Sequence, residues 1–253
     1  MTALLSAAGV SKRFGGVLAL RDVSLDVDAH DAVALVGPNG AGKTTLFNCL
    51  LGVLRPDRGT ITFDGRSLVG LPIYRRARLG IGRTFQRMEL FAGLTPREHL
   101  LVAERARRGD GRLWKDLLNR SAPAPDEVAA VDDVLALLGL GDVADAPVEA
   151  LSLGRGRLVE LGRALVGAPR LLLLDEPSSG LDAGETAALV EVLERVRAER
   201  GTAVLLVEHD LDMVQRAVSR LYVIDAGAIL AAGPTADVMD DPAVRRAYLG
   251  AAS

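Results

Sequence analysis

Short, wholly apolar runs alternate along this chain with longer runs whose apolar residues recur every three or four positions. Ala32-Val33-Ala34-Leu35-Val36, Leu171 to Leu174 and Ala203 to Val207 contain no polar residue. Runs of that length and purity predict strands buried on both faces. Leu20 to Val27 alternates apolar with polar, and Gly59 to Gly65 is a short β-like run between turn residues, so both predict strands with one buried face. Helical spacing predicts helices over Thr45 to Leu51, Pro96 to Arg108, Asp126 to Leu138, about Gly156 to Val166, and Ala183 to Arg200. The boundaries carry the usual punctuation: Thr95 before Pro96 as a cap, Gly109-Asp110-Gly111 and Pro123-Ala124-Pro125 as breaks, and Gly201 as a stop. Strands separated by helices imply an α/β fold with a parallel sheet covered on both faces.

Bulk properties narrow the setting. The 253 residues suffice for one large core or two smaller ones, and 49% hydrophobic with 25% charged residues is a globular balance. A net charge of −3 gives no reason to expect nucleic-acid binding. No apolar run approaches the ~20 residues that span a bilayer, and the start lacks a signal-peptide pattern. The single cysteine, Cys49, has no internal partner and reads as a small packed side chain. A cytosolic chain is expected, reaching a membrane only through a partner. There is no internal repeat or low-complexity tract.

The chemistry begins between the first buried strand and the helix after it. Gly37-Pro38-Asn39-Gly40-Ala41-Gly42-Lys43-Thr44 fits G-x-x-x-x-G-K-[ST], the loop that cradles nucleotide phosphates. Phosphate oxygens have to be met at close range by backbone N–H groups, so the loop needs residues without bulk and with free dihedrals. Lys43 brings a point charge to the β- and γ-phosphates and Thr44 a hydroxyl to Mg²⁺. The following helix, from Thr45, aims its N-terminus at the anion. Hydrolysis needs a second metal ligand and a group that acts on water. Leu171-Leu172-Leu173-Leu174-Asp175-Glu176 offers both at the carboxyl end of a strand, where α/β folds bind ligands. Asp175 is the candidate Mg²⁺ ligand and Glu176 the candidate general base.

Further elements fall in order around these: Arg83-Thr84-Phe85-Gln86, Leu151-Ser152-Leu153-Gly154-Arg155, Ser179-Gly180-Leu181-Asp182 and Glu208-His209-Asp210. Together with the phosphate loop, this ordered set resembles the ATP-binding subunits of ABC transporters over essentially the whole chain. The resemblance implies a RecA-like P-loop ATPase core with an N-terminal antiparallel β subdomain (residues 1–84 and 158–253) and an inserted α-helical signature subdomain (residues 85–157), forming one domain. It implies ATP and Mg²⁺ as ligands, held by residues 37–44 and Thr45. Phe14, in Arg13-Phe14-Gly15-Gly16, is similar to the aromatic that stacks on adenine, with a strand-edge core residue as the alternative. Gln86 matches the glutamine that touches Mg²⁺ and water and senses the membrane subunit, and His209 the histidine that bonds the γ-phosphate. Ser152 and Gly154 match the signature motif, which reaches across a head-to-tail dimer to the ATP on the other subunit. Asp182 matches the loop that couples the two sites. The family's usual glutamine after the signature glycine is Arg155 here, which either adds charge stabilisation or disturbs the composite site.

Residues 83–91, 176–182, 205–211 and 241–250 are similar to the larger ATPase subunit of high-affinity branched-chain amino-acid importers. That resemblance implies transmembrane permease subunits, a second ATPase subunit and, indirectly, a substrate-binding protein as partners, at the cytoplasmic face of the membrane. Importers of urea or short amides and lipopolysaccharide-type exporters carry similar ATPases, and an ATPase does not see the cargo. A soluble ABC-type ATPase acting on nucleic acid would need long coiled-coil heptads or two cassettes in one chain, and neither is present. A binder that does not hydrolyse would lack the base that Glu176 supplies. Between Arg105 and Pro125, Trp114 sits in a basic cluster of Arg105, Arg107, Arg108, Arg112 and Lys115. That segment is read either as a membrane-partner surface or as a solvated helical excursion.

Overall fold

The computed structural model describes residues 3–84, 89–108 and 123–249. The central sheet has six strands, in the order β10 (Ala228–Pro234), β9 (Arg220–Asp225), β3 (Ala32–Val36), β8 (Ala203–Val207), β7 (Leu171–Asp175), β6 (Ile81–Arg83). All are parallel except β10, which folds back antiparallel on β9. Side chains alternate across a strand, so each buried strand feeds two cores. Ala32, Ala34, Leu172, Leu174, Val204 and Leu206 enter one core, which also takes Leu100, Val131, Val159 and Leu189 from the larger helices. Val33, Leu35, Leu171, Leu173, Leu205 and Val207 enter the other. That second core is roofed by a four-stranded antiparallel sheet in the order β2 (Val17–Val27), β1 (Leu5–Phe14), β4 (Arg58–Phe63), β5 (Arg66–Ser67), which contributes Leu5, Leu25, Ile61 and Phe63.

Among the described residues the α-helices are α1 (Lys43–Leu51), α2 (Ile73–Arg78), α3 (Pro96–Arg108), α4 (Pro125–Leu138), α5 (Leu153–Leu165), α6 (Ala183–Arg200), α7 (Leu211–Ala217), α8 (Thr235–Asp240) and α9 (Pro242–Leu249). Two of them begin two or three residues earlier than the spacing predicts. Helix α1 starts at Lys43, straight out of the phosphate loop, rather than at Thr45. Helix α5 starts at Leu153 rather than near Gly156, because the Ser152 hydroxyl accepts from the Arg155 N–H and caps it. Glycine in a first turn weakens a helix, but the cap and the burial of Gly156 outweigh that. The C-terminus of α1 is held by Arg76, 3% exposed, whose guanidinium donates to the carbonyls of Cys49, Leu50, Leu68 and Leu71. A cation on the last carbonyls of a helix is favoured by the helix dipole.

The described part of the basic cluster is internally paired. Arg107 and Arg108 bind Glu104, which is 1% exposed, while Arg105 meets Glu127 and Arg108 meets Asp126 on α4. Arg105 and Arg108 thereby tie α3 to α4. Arg112, Trp114, Lys115 and the break at 109–111 lie outside the described residues. Among the described residues no helix is long and apolar enough to cross a membrane.

Candidate active site

Three neighbouring strands end level with one another. Leu35 of β3 pairs with Val207 of β8, and Val207 pairs with Asp175 of β7. The loop from Gly37, the turn at Glu208-His209 and the turn at Asp175-Glu176 therefore emerge side by side at the carboxyl edge of the sheet. Segments far apart in the sequence meet there because the parallel register places them there.

The loop is built so that backbone approaches backbone. Gly37 is buried, and a Cβ on it would lie 2.1 Å from the Ile224 carbonyl oxygen. Gly42, at φ +110°, would bring a Cβ within 2.7 Å of the Ala19 carbonyl oxygen. Gly40, at φ +80°, has open space around it and is glycine for its dihedral alone. The Ala41 N–H donates to the Pro38 carbonyl, and the Ala41 carbonyl accepts from Gly227, which pins the loop to the β9–β10 turn. Asn39 and Thr44 are exposed and Thr45 half-buried. Lys43 is 7% exposed, and its Nζ donates to the carbonyls of Gly37 at 2.5 Å and Pro38 at 3.0 Å. Burial lowers its pKa, opposed by the charges of Glu176 and Asp175. An ammonium has three donors, so one remains to aim at a phosphate.

Glu176 adopts φ +48° directly after the strand, while its N–H still bonds the Val207 carbonyl at 2.9 Å. A non-glycine residue in that region costs on the order of 1–2 kcal/mol, a strain held by the register on either side. Its Oε1 lies 4.0 Å from Nδ1 of the exposed His209, which is also 3.8 Å from Oε2 of Glu208. The sequence reading missed what holds these two turns together. Glu208 is fully buried, and its Oε1 accepts from the N–H and the hydroxyl of Ser178 at 2.9 and 2.7 Å. Its Oε2 accepts from the N–H of His209 at 3.0 Å. An acid closing a wholly apolar strand was the available signal, the same one that marks Asp175.

Asp175 has its carboxyl pushed up to about 6, first by burial, then by the charges of Glu176 and Glu208, with Lys43 opposing. Two acids, Asp175 and Glu176, act on the buried Lys43. Among the described residues no cluster of three His, Cys, Asp or Glu forms a metal site, but magnesium beside phosphates commonly takes only one or two protein ligands. The exposed Thr44 hydroxyl and the Asp175 carboxylate are the groups that fit it. Gln86 lies outside the described residues. The raised pKa has a definite sign. Asp175 contributes stability below its ordinary pKa near 4, and that contribution is lost as pH rises through about 6. Asp175→Asn is therefore expected to raise the melting temperature of the nucleotide-free protein at about pH 7.5, by roughly 2–4 °C after allowance for solvent screening, and to leave it nearly unchanged near pH 4. Thermal scans at the two pH values check this. An equal shift at both would mean that ionisation of Asp175 is not the cause.

The other expected residues fall into two groups. Phe14 closes β1 at 47% exposure, with Lys12 Nζ 5.7 Å from the ring centroid, so it is not a core residue. Ser152, Gly154 and Asp182 do not join the phosphate loop in this chain. Ser152 caps α5, Asp182 caps α6, and the Gly154 N–H bonds Glu185. Arg155 is turned to Asp142, at 2.9 Å. Cys49 is buried, which pushes its thiol to about 11. His99 is buried, between the Thr95 carbonyl and the Phe91 N–H, and is structural.

Comparison with known proteins supplies the family and the fold. The ABC transporter family profile matches residues 20–179, and a profile for branched-chain amino acid ATP-binding cassette transporters matches residues 228–253. The chain is 42% identical over 252 residues, 98% of each protein, to the high-affinity branched-chain amino acid transport ATP-binding protein LivG of Salmonella typhimurium. It is 35% identical over 247 residues to the lipopolysaccharide export system ATP-binding protein LptB of Haemophilus influenzae, covering 98% of this chain and 97% of that one. The crystal structure of the ADP conformation of MJ1267, an ATP-binding cassette of an ABC transporter, superposes with a TM-score of 0.86 at 32% identity, covering 99% of this chain and all of that one. With likeness of that extent in sequence and in backbone, and a phosphate loop where the sheet edge demands one, this chain belongs to the ABC transporter family, as one of its ATP-binding, ATP-hydrolysing subunits.

Proposed function

We propose that this chain powers the import of branched-chain amino acids, working as one of a pair of ATPase subunits beneath transmembrane permease subunits at the cytoplasmic face of the membrane. The observation that carries the cargo is the C-terminal match at residues 228–253, a branched-chain profile lying outside the general ATPase region. It tips the balance between LivG and LptB, which both align over nearly the whole chain.

Residues 37–44 and Thr45 bind the phosphates of ATP, and Phe14 stacks on adenine. Thr44, Asp175 and Gln86 hold Mg²⁺, which when bound offsets phosphate charge. Glu176 takes the proton of the water that attacks the γ-phosphate, and His209 donates to a γ-oxygen. Ser152 and Gly154 of the facing subunit complete the anion cradle, and Asp182 couples the two sites. Residues 85–157 form the helical unit that passes closure to the permeases, and a substrate-binding protein delivers cargo to them.

The test is radiolabelled leucine uptake in the native cell, with and without Glu176→Gln. Collapse of uptake is the expected result. Intact uptake beside an ATPase-dead purified complex would sink the cargo assignment and turn attention to urea, short amides and exported lipids.

A further inference from the structure

The first turn of α5 is where the proposed composite site needs free donors, and this chain has already used them. The opening N–H groups of a helix have no partner inside it. Here the Arg155 N–H is taken by the Ser152 hydroxyl at 3.3 Å, and the Gly154 N–H by Oε1 of Glu185 at 3.0 Å. Glu185 belongs to another helix. Its Oε2 accepts from the Asp182 N–H at 3.4 Å, while Oδ1 of Asp182 accepts from the Glu185 N–H at 2.8 Å, which closes a capping box at the start of α6. The fit at Gly154 is tight, since a Cβ there would stand 2.8 Å from Glu185 Oε1 and Cδ. Only glycine lets a carboxylate sit this close to that amide. The cleft around it, about 400 Å³, is lined by Ser152, Gly154, Arg155, Leu181, Glu185 and Arg195 among others.

A carboxylate at a helix N-terminus and a phosphate oxygen at a helix N-terminus are bound by the same donors and the same dipole. We infer that Glu185 is an autoinhibitory anion: it occupies the signature amide of its own subunit and has to leave before a nucleotide phosphate presented by a second copy or a paralogous subunit can take its place. The inference rests on the head-to-tail pairing proposed above. Two anions cannot share the Gly154 N–H, so the exchange costs one charge-assisted hydrogen bond and closes against like-charge repulsion. Because the other oxygen of Glu185 accepts from the Asp182 N–H, its departure also releases that N–H, while the backbone bonds of Ser179 and Leu181 still hold the turn. Occupancy of the signature amide and release of the Asp182 N–H thus become one event within a single chain. Gln at 185 keeps the length of the side chain and can still complete a capping box, but loses the charge.

The experiment is ATP-driven association of the purified chain in a Glu176→Gln background, followed by sedimentation velocity across a range of ATP and salt concentrations. Glu185→Gln is expected to tighten association about fivefold per site, the equivalent of one hydrogen bond's change in strength, and to flatten its salt dependence. Glu185→Ala, which also removes the capping box, is expected to tighten association while lowering the melting temperature. Association unchanged or weakened in both variants, with the parent associating normally, overturns the role of Glu185 alone. A parent that does not associate with ATP, with itself or with a co-expressed paralogous subunit, overturns the pairing and the inference with it.

Discussion

Glu176→Gln is expected to lower steady-state ATPase activity by about 10²- to 10⁴-fold, the range that removal of a general base commonly produces. ATP binding should survive. The phosphate loop, Lys43 and Asp175 are untouched, and amide for carboxylate conserves shape at a position already constrained to φ +48°. One negative charge fewer beside Lys43 and Asp175 even favours a bound polyphosphate. Turnover of radiolabelled ATP and equilibrium binding of a fluorescent ATP analogue separate the two effects. Activity that persists in the variant would remove Glu176 from the proton-transfer role, and loss of binding along with turnover would make it a structural residue.

The second large effect concerns the loop itself. Gly37→Ala places a methyl group where only 2.1 Å separates it from the Ile224 carbonyl oxygen. Both parties are backbone, one in the loop and one in β9, so neither moves without disturbing the central sheet. The expected loss is more than about 3 kcal/mol, or roughly 6–12 °C in melting temperature for a chain of this size, together with loss of ATP binding. Gly40→Ala is the control. It meets nothing within 4 Å and carries only the dihedral penalty, about 1 kcal/mol. Melting curves of the two variants in parallel test whether close approach, rather than flexibility, fixes glycine at position 37; equal losses would reject it.

Much of this was legible in the sequence because it is local. The apolar runs at 32–36, 171–174 and 203–207 gave their strands directly, and Asp175 was placed at a strand end by counting. At α5 glycine propensity argues against helix and the Ser152 cap decides for it, while α1 begins at Lys43 with Gly42 as its N-cap and no side-chain cap. The long β1 strand and the β9–β10 hairpin went unread, since β1 carries register shifts and Leu221 to Ile224 and Ala228 to Gly233 show no alternation of apolar with polar residues. What the sequence could not display is contact between distant residues. Glu185 on Gly154, Glu208 on Ser178 and Arg76 on the end of α1 each join positions with no pattern in common. All three are charged groups whose partners are backbone or hydroxyl rather than opposite charge, so a search for complementary residues would not find them.

The two-sided burial of the central sheet has a consequence for how variation in this protein should be interpreted. Every side chain from Ala32 to Val36 and from Ala203 to Val207 is committed to one core or the other, and in the next position begins the phosphate loop at Gly37 or, at Glu208, the buried carboxylate that holds the neighbouring turns. The frontier between a folding defect and a turnover defect is therefore a single residue wide, at Val36/Gly37, Leu174/Asp175 and Val207/Glu208. A deep mutational scan sorted by abundance and by transport should show the two phenotypes switching abruptly at those three steps. Two positions fall on both sides of the frontier at once: Gly37, where the loop rests on the sheet, and Glu208, where one buried carboxylate anchors two working turns.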